Sequence, residues 1–160
     1  MIRRVAFATL LLAGSVTAQT RLFAGGNWAA LDRGALCDAG TRAERIATKD
    51  RVQAIAGFVF SADGKRWGEF YTRLSRPVRP GSSVVLQVGN QPFLLAGKGY
   101  WAWSRGAQQQ DAIAAAVRAN PRMKVEARDP RGVRIRDYYL LAGAPTAIDA
   151  AAARCAGKMR

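Results

Sequence analysis

The chain has 160 residues, with 25 lysines and arginines against 11 aspartates and glutamates, and a formal charge of +14. It contains no histidine, which removes the commonest general base, the Ser-His and Cys-His nucleophile pairs and the histidine-based metal sites. The length suits one domain with one core, and a field of this sign favours anionic partners.

Residues 1–18 read as a cleavable export signal. Arg3 and Arg4 form a basic start, Val5 to Ala13 an apolar run, and Val16-Thr17-Ala18 a cleavage site with small residues. The run is shorter than the roughly 20 apolar residues of a membrane span, so no transmembrane span is expected. Ser15 stands where a lipoprotein would carry its cysteine, so no lipid anchor is expected either. A single α+β domain is assigned to residues 19–160, outside the cytoplasm. In that oxidising setting Cys37 and Cys155, the only two cysteines, are read as a disulfide. It closes a loop on the order of 100 residues, for which the chain-entropy model gives about 4 to 5 kcal/mol.

The first predicted strand is Asn27 to Leu31, followed by a turn at Gly34, and Arg42 to Val52 reads as loop or a frayed helical turn. Ile55 to Phe60 and Arg66 to Leu74 are strands around Asp63-Gly64, a two-residue hairpin signal that sets Phe60 opposite Trp67. Pro77 and Pro80 break the sheet, since neither can donate a ladder hydrogen bond. Ser83 to Val88 and Pro92 to Ala96 are strands around Gly89-Asn90, and Tyr100 to Trp103 is a further short one. Ala107 to Ala119 is a helix with Ile113 and Val117 on one face, ended by Asn120-Pro121.

Met123 to Arg128 and Val133 to Leu141 flank Asp129-Pro130-Arg131-Gly132, which fits a type I turn with a glycine bulge. That register pairs Asp129 with Val133, Arg128 with Arg134 and Glu126 with Arg136, and turns Ala127 and Ile135 to the core. Pro145 to Ala156 is a helix closed by Gly157, with Cys155 on its last turn. The expected fold is α+β: a mainly antiparallel β-sandwich or half-barrel with two packed helices.

Two groups of residues stand out as candidate sites. Basic residues cluster at Arg73-Arg76-Arg79 and around the hairpin turn, where Arg128, Arg131, Arg134 and Arg136 stand. Arg128 opposite Arg134 is a like-charge pair, which a bound phosphate or carboxylate relieves; the alternative is that both splay into water while Glu126 satisfies Arg136. Trp101 and Trp103 share one face of a strand, as core residues in the plainer reading and as an aromatic contact for glycans in the other. Gly97-Lys98-Gly99 lacks the spacing of a phosphate loop. Glu69, Asp111, Asp129 and Asp137 occur singly, so no carboxylate pair marks a hydrolase, and no metal site, cofactor or enzymatic activity is expected.

Together the leader, Trp28 upstream of Cys37, Pro80-Gly81 before a strand, and the tail carry a resemblance. In the tail a helix precedes two strands, then Leu140-Leu141-Ala142-Gly143 and Thr146 to Ala151 run to Cys155. The pattern resembles the invasion-associated locus B family, small exported proteins of alphaproteobacteria and their relatives, most closely over the tail of about 50 residues. The resemblance implies a periplasmic or surface-associated protein linked to host-cell invasion or envelope function, with no enzymatic residues to carry over. The sequence thus points to a non-enzymatic binding protein for an anionic envelope or host glycan or lipid, with no nucleic acid expected. The competing reading is a protein-interaction module, an inhibitor or accessory factor of an envelope enzyme.

Overall fold

The computed structural model describes residues 19–159. The expected export signal, residues 1–18, lies outside the described residues. Ten strands, β1 (Thr20–Gly25), β2 (Trp28–Asp32), β3 (Leu36–Arg42), β4 (Ile55–Ser61), β5 (Trp67–Arg73), β6 (Val84–Val88), β7 (Gln91–Lys98), β8 (Trp101–Trp103), β9 (Arg122–Arg128) and β10 (Arg134–Leu140), are joined by helices α1 (Ala107–Ala119) and α2 (Ala144–Ala156). The strands form one antiparallel sheet in the order β1-β2-β3-β4-β5-β8-β7-β6-β9-β10. The expected α+β class, with a large antiparallel sheet and two packed helices, is what the molecule has.

The sheet curls until its far end meets its beginning. Trp28 donates its indole N–H to the Leu140 carbonyl at 3.0 Å, and the Asn27 N–H reaches the Ala142 carbonyl at 2.9 Å. Glu44 donates its backbone N–H to Tyr138, and the buried Tyr139 hydroxyl lies 3.3 Å from that of Thr72 on the opposing β5. These bonds satisfy polar groups that the curl would otherwise bury unpaired. The interior is filled by inward-facing residues of most strands, among them Trp28, Phe58, Phe70, Leu86 and Ile135. Phe58 and Phe70 meet edge to face at 5.5 Å between centroids, the arrangement that ring quadrupoles favour.

Both helices cover this core with their apolar stripes. Helix α1 buries Ile113, Ala116 and Val117 against β5, β6 and β7. Helix α2 carries Pro145 in its first turn and buries Ala147, Ile148, Ala151 and Cys155 against β1 to β4. The small side chains allow close approach to the sheet. Cys155 is thereby brought to Cys37 on β3, with Cα atoms 5.8 Å apart, and the two are bonded across 118 residues of sequence.

The β9–β10 hairpin has the expected register, with Arg134 opposite Arg128, Ile135 opposite Ala127 and Arg136 opposite Glu126. Phe60 and Trp67 also pair, but not through a two-residue turn. The loop is longer: Ser61 accepts from Gly64 and donates to Arg66 through its backbone, and its hydroxyl binds both Asp63 and the Arg66 N–H. Gly68, at φ 69°, forms the bulge that restores the pairing.

Two strands have no counterpart in the sequence reading. Edge strand β1 shows no clean alternation, and its outer residues are exposed. Strand β3 alternates Cys37, Ala39 and Thr41 inward with Asp38, Gly40 and Arg42, residue types that carry little strand propensity.

Candidate functional site

The hairpin arginines occupy one wall of a pocket at the β10 edge of the sheet. The connection between β3 and β4 also lines it, as do Ser75, Arg76 and Asp137. The connection is held in shape by Gln53, whose side-chain oxygen accepts the Ala47 N–H at 2.9 Å and whose amide reaches the Ala54 carbonyl at 3.1 Å. That fold of the loop brings Arg45 and Arg51 to face β10.

The resulting pocket, of about 850 Å³, is lined by Arg45, Arg51, Arg76, Arg131, Arg134 and Arg136, with Asp137 as the lone carboxylate among its lining residues. Arg76 is held by the Asp129 carboxylate at 2.9 Å and donates to the Arg134 carbonyl at 2.6 Å. Arg136 is paired with Glu126 at 3.0 Å. Among the described residues, Arg45, Arg51, Arg131 and Arg134 form no ion pair. Like charges gathered at one opening raise the local potential and concentrate anions there.

Asp129 shapes the turn that presents these arginines. Its carboxylate, almost fully buried, accepts the N–H groups of Arg131 and Val133 as well as Arg76. A buried carboxylate satisfied by two backbone donors and a guanidinium fixes the hairpin tip in one conformation. Arg128 departs from the expected group: it donates to the Gly132 carbonyl at 2.9 Å and is not part of the pocket lining. Of the four candidate arginines, Arg131, Arg134 and Arg136 are brought together. Arg45, Arg51 and Arg76 join them from loops distant in sequence.

Asp137 accepts the Ser75 N–H at 3.0 Å, yet burial pushes its carboxyl above the usual carboxylate range. A raised folded value means that this group's stability contribution is complete below the unfolded carboxylate pKa and lost as pH rises through the folded one. Asp137→Asn keeps an acceptor for Ser75 and removes the titration. The variant is expected to gain stability over the native protein at pH 7 and less at pH 4, as read from urea midpoints. Equal gains at both would contradict the assignment.

The aromatic candidates lie on the other side of the molecule's sheet surface from the core. Ala102 is buried between Trp101 and Trp103, so both indoles point outward, and Trp101 is 37% exposed. The core reading of these two residues is therefore corrected: the small residue of the Trp-Ala-Trp strand occupies the inner position. Trp103 pairs across the sheet with Tyr71, and Trp101 with Arg73. Arg73 sits 5.8 Å from the Trp101 ring centroid, and its buried Nε has no hydrogen-bond acceptor; the indole face offsets that charge.

The chain matches no family model, no curated protein and no solved structure. Among the described residues no cluster of three metal-ligating side chains occurs, and no helix is long and apolar enough to cross a membrane.

Proposed function

We propose that this protein is an exported, non-enzymatic binding protein of the invasion-associated locus B type, and that its arginine pocket takes an anionic group of an envelope or host component. One observation carries the reading: six arginines converge on one pocket with a single carboxylate among its lining residues. Four of the six, Arg45, Arg51, Arg131 and Arg134, have no counter-ion among the described residues, and guanidinium forks match phosphate and carboxylate oxygens. The leader and the net charge of +14 agree with an anionic partner outside the cytoplasm. The alternative of a protein-interaction module draws on the exposed aromatic strand.

Binding to vesicles containing an anionic phospholipid, compared with neutral vesicles, tests the charge component. Affinity is expected to fall steeply between low and physiological salt, because exposed charges are screened over about 10 Å at 0.1 M. Affinity that is indifferent to salt would count against an electrostatic pocket.

A further inference from the structure

A second depression adjoins the arginine pocket, and its character is different. It has a volume of about 920 Å³ and lies along the outer face of β2, β3 and β4, bounded by the turn at Gly25 to Asn27 and by the segment from Ala43 to Ile46. Ile46 lines both depressions, so a single loop ridge separates them. The charged residues lining this groove are Arg33, Arg42, Asp38 and Glu44, two of each sign. It is therefore close to neutral where its neighbour is strongly cationic.

The small residues that line the groove can be read across the strands. Ala24, Ala29, Gly40, Gly57, Tyr71, Trp103 and Ala96 stand in one cross-strand row. A Cβ at Gly57 would lie 3.0 Å from the Tyr71 hydroxyl, and one at Gly40 would lie 3.2 Å from it. The glycines thus let the Tyr71 side chain lie over β4 with its hydroxyl 3.5 Å from Asp38. Trp101, with its centroid 6.3 Å from that of Tyr71 and its ring tilted 47° to it, and Trp103 stand on β8 beside the groove, beyond its lining residues. Arg33, bonded to Asp38, sets donors and an acceptor beside it.

Planar rings next to a neutral set of paired donors and acceptors match the alternating apolar faces and hydroxyl edges of sugar rings. We infer that the groove binds the sugar rings of an acidic oligosaccharide whose acid group enters the arginine pocket across the Ile46 ridge. This rests on the anion-binding reading of that pocket and adds the class of ligand.

The test uses three probes on the mature protein: a hyaluronan octasaccharide, free glucuronate, and the neutral chitohexaose. The octasaccharide is expected to bind at least tenfold more tightly than glucuronate. Trp101→Ala is expected to weaken the octasaccharide about tenfold, the scale of one lost ring contact, and to leave glucuronate unchanged. In the unmodified protein the indole N–H resonances of Trp101 and Trp103 are expected to shift with the octasaccharide and not with glucuronate, a readout independent of any variant's folding. Unmoved indoles with both oligosaccharides would overturn the groove, even if Arg131→Gln and Arg134→Gln abolish glucuronate binding and so uphold the pocket. Indoles that move with chitohexaose, in a protein whose octasaccharide affinity ignores those arginine changes, would uphold the groove alone and overturn the bridged ligand.

Discussion

Replacing Cys37 and Cys155 together by alanine is expected to lower the unfolding free energy by about 4 to 5 kcal/mol, the chain-entropy value for a loop of this size. Against a typical domain stability of 5 to 15 kcal/mol, that loss is large enough to leave a substantial unfolded fraction on warming. The structure explains why the bridge matters here. Cys37 belongs to β3, which is built of small and polar residues and contributes few large apolar contacts. Cys155 ends α2, whose buried face is mostly alanine. Small side chains bury little apolar surface each, so the covalent link supplies what packing does not.

The C-terminal turn adds a polar clasp beside the bridge, since Asp32 accepts from Arg154 at 2.6 Å and from Lys158. These two cations hold the Asp32 carboxyl well below the usual carboxylate range. Its share of stability is present above the unfolded carboxylate pKa and is lost only in strong acid. Asp32 is therefore ionised at neutral pH, and urea unfolding at pH 7 compares the two proteins away from its titration. A double variant with unchanged urea midpoint would show that the bridge contributes nothing.

Gly143→Ala is the second change expected to have a large effect, about 3 kcal/mol or more. Gly143 precedes α2 at φ 91°, a left-handed conformation that costs an L-residue roughly 1 to 3 kcal/mol. A Cβ there would also fall 2.1 Å from the Gly25 carbonyl oxygen. Gly26 stands in the reciprocal position, where a Cβ would fall 2.2 Å from the Ala142 carbonyl oxygen. The obstructing atoms are backbone on both sides, so neither can rotate away, and the overlap adds to the backbone strain. These two glycines are the seam where the curled sheet closes, beside the Asn27 to Ala142 hydrogen bond. Thermal unfolding of the variant measures the effect, and a melting temperature within a degree or two of the native protein would refute this account of the seam.

Much of the fold was legible because turn chemistry and alternation agreed. The β9–β10 register followed from Asp129, Pro130 and Gly132 at fixed turn positions, with Ala127 and Ile135 at matching inward positions. Where the two signals were absent, the reading lapsed. β3 hides because Gly40 makes room for the Tyr71 side chain and Cys37 is anchored by a helix far along the chain. Neither reason is local. The Trp-Ala-Trp strand runs against hydrophobicity alone, which places indoles inside, whereas here Ala102 takes the buried position and Trp101 is exposed.

The candidate site was half visible for a similar reason. Arg131, Arg134 and Arg136 are close in sequence, and a hairpin was enough to gather them. Arg45, Arg51 and Arg76 reach the same pocket through the β3–β4 and β5–β6 connections, whose courses are set by Gln53 and by the pairing of Arg76 with Asp129. No spacing rule links those positions. Conversely, Arg128 sits beside its neighbours in sequence but bonds back to the Gly132 carbonyl.

We propose that a specific pocket, and not overall positive charge, recognises the anion. Two variants of identical net charge separate these possibilities: Arg131→Gln with Arg134→Gln inside the pocket, and Arg118→Gln with Arg122→Gln on exposed surface elsewhere. Calorimetric titration with glucuronate at physiological salt is the measurement. Loss of two charge-assisted contacts is expected to weaken binding by at least tenfold in the pocket variant, with the surface variant within twofold of the native protein. Equal weakening in both variants would contradict the pocket and reduce the interaction to a general field effect.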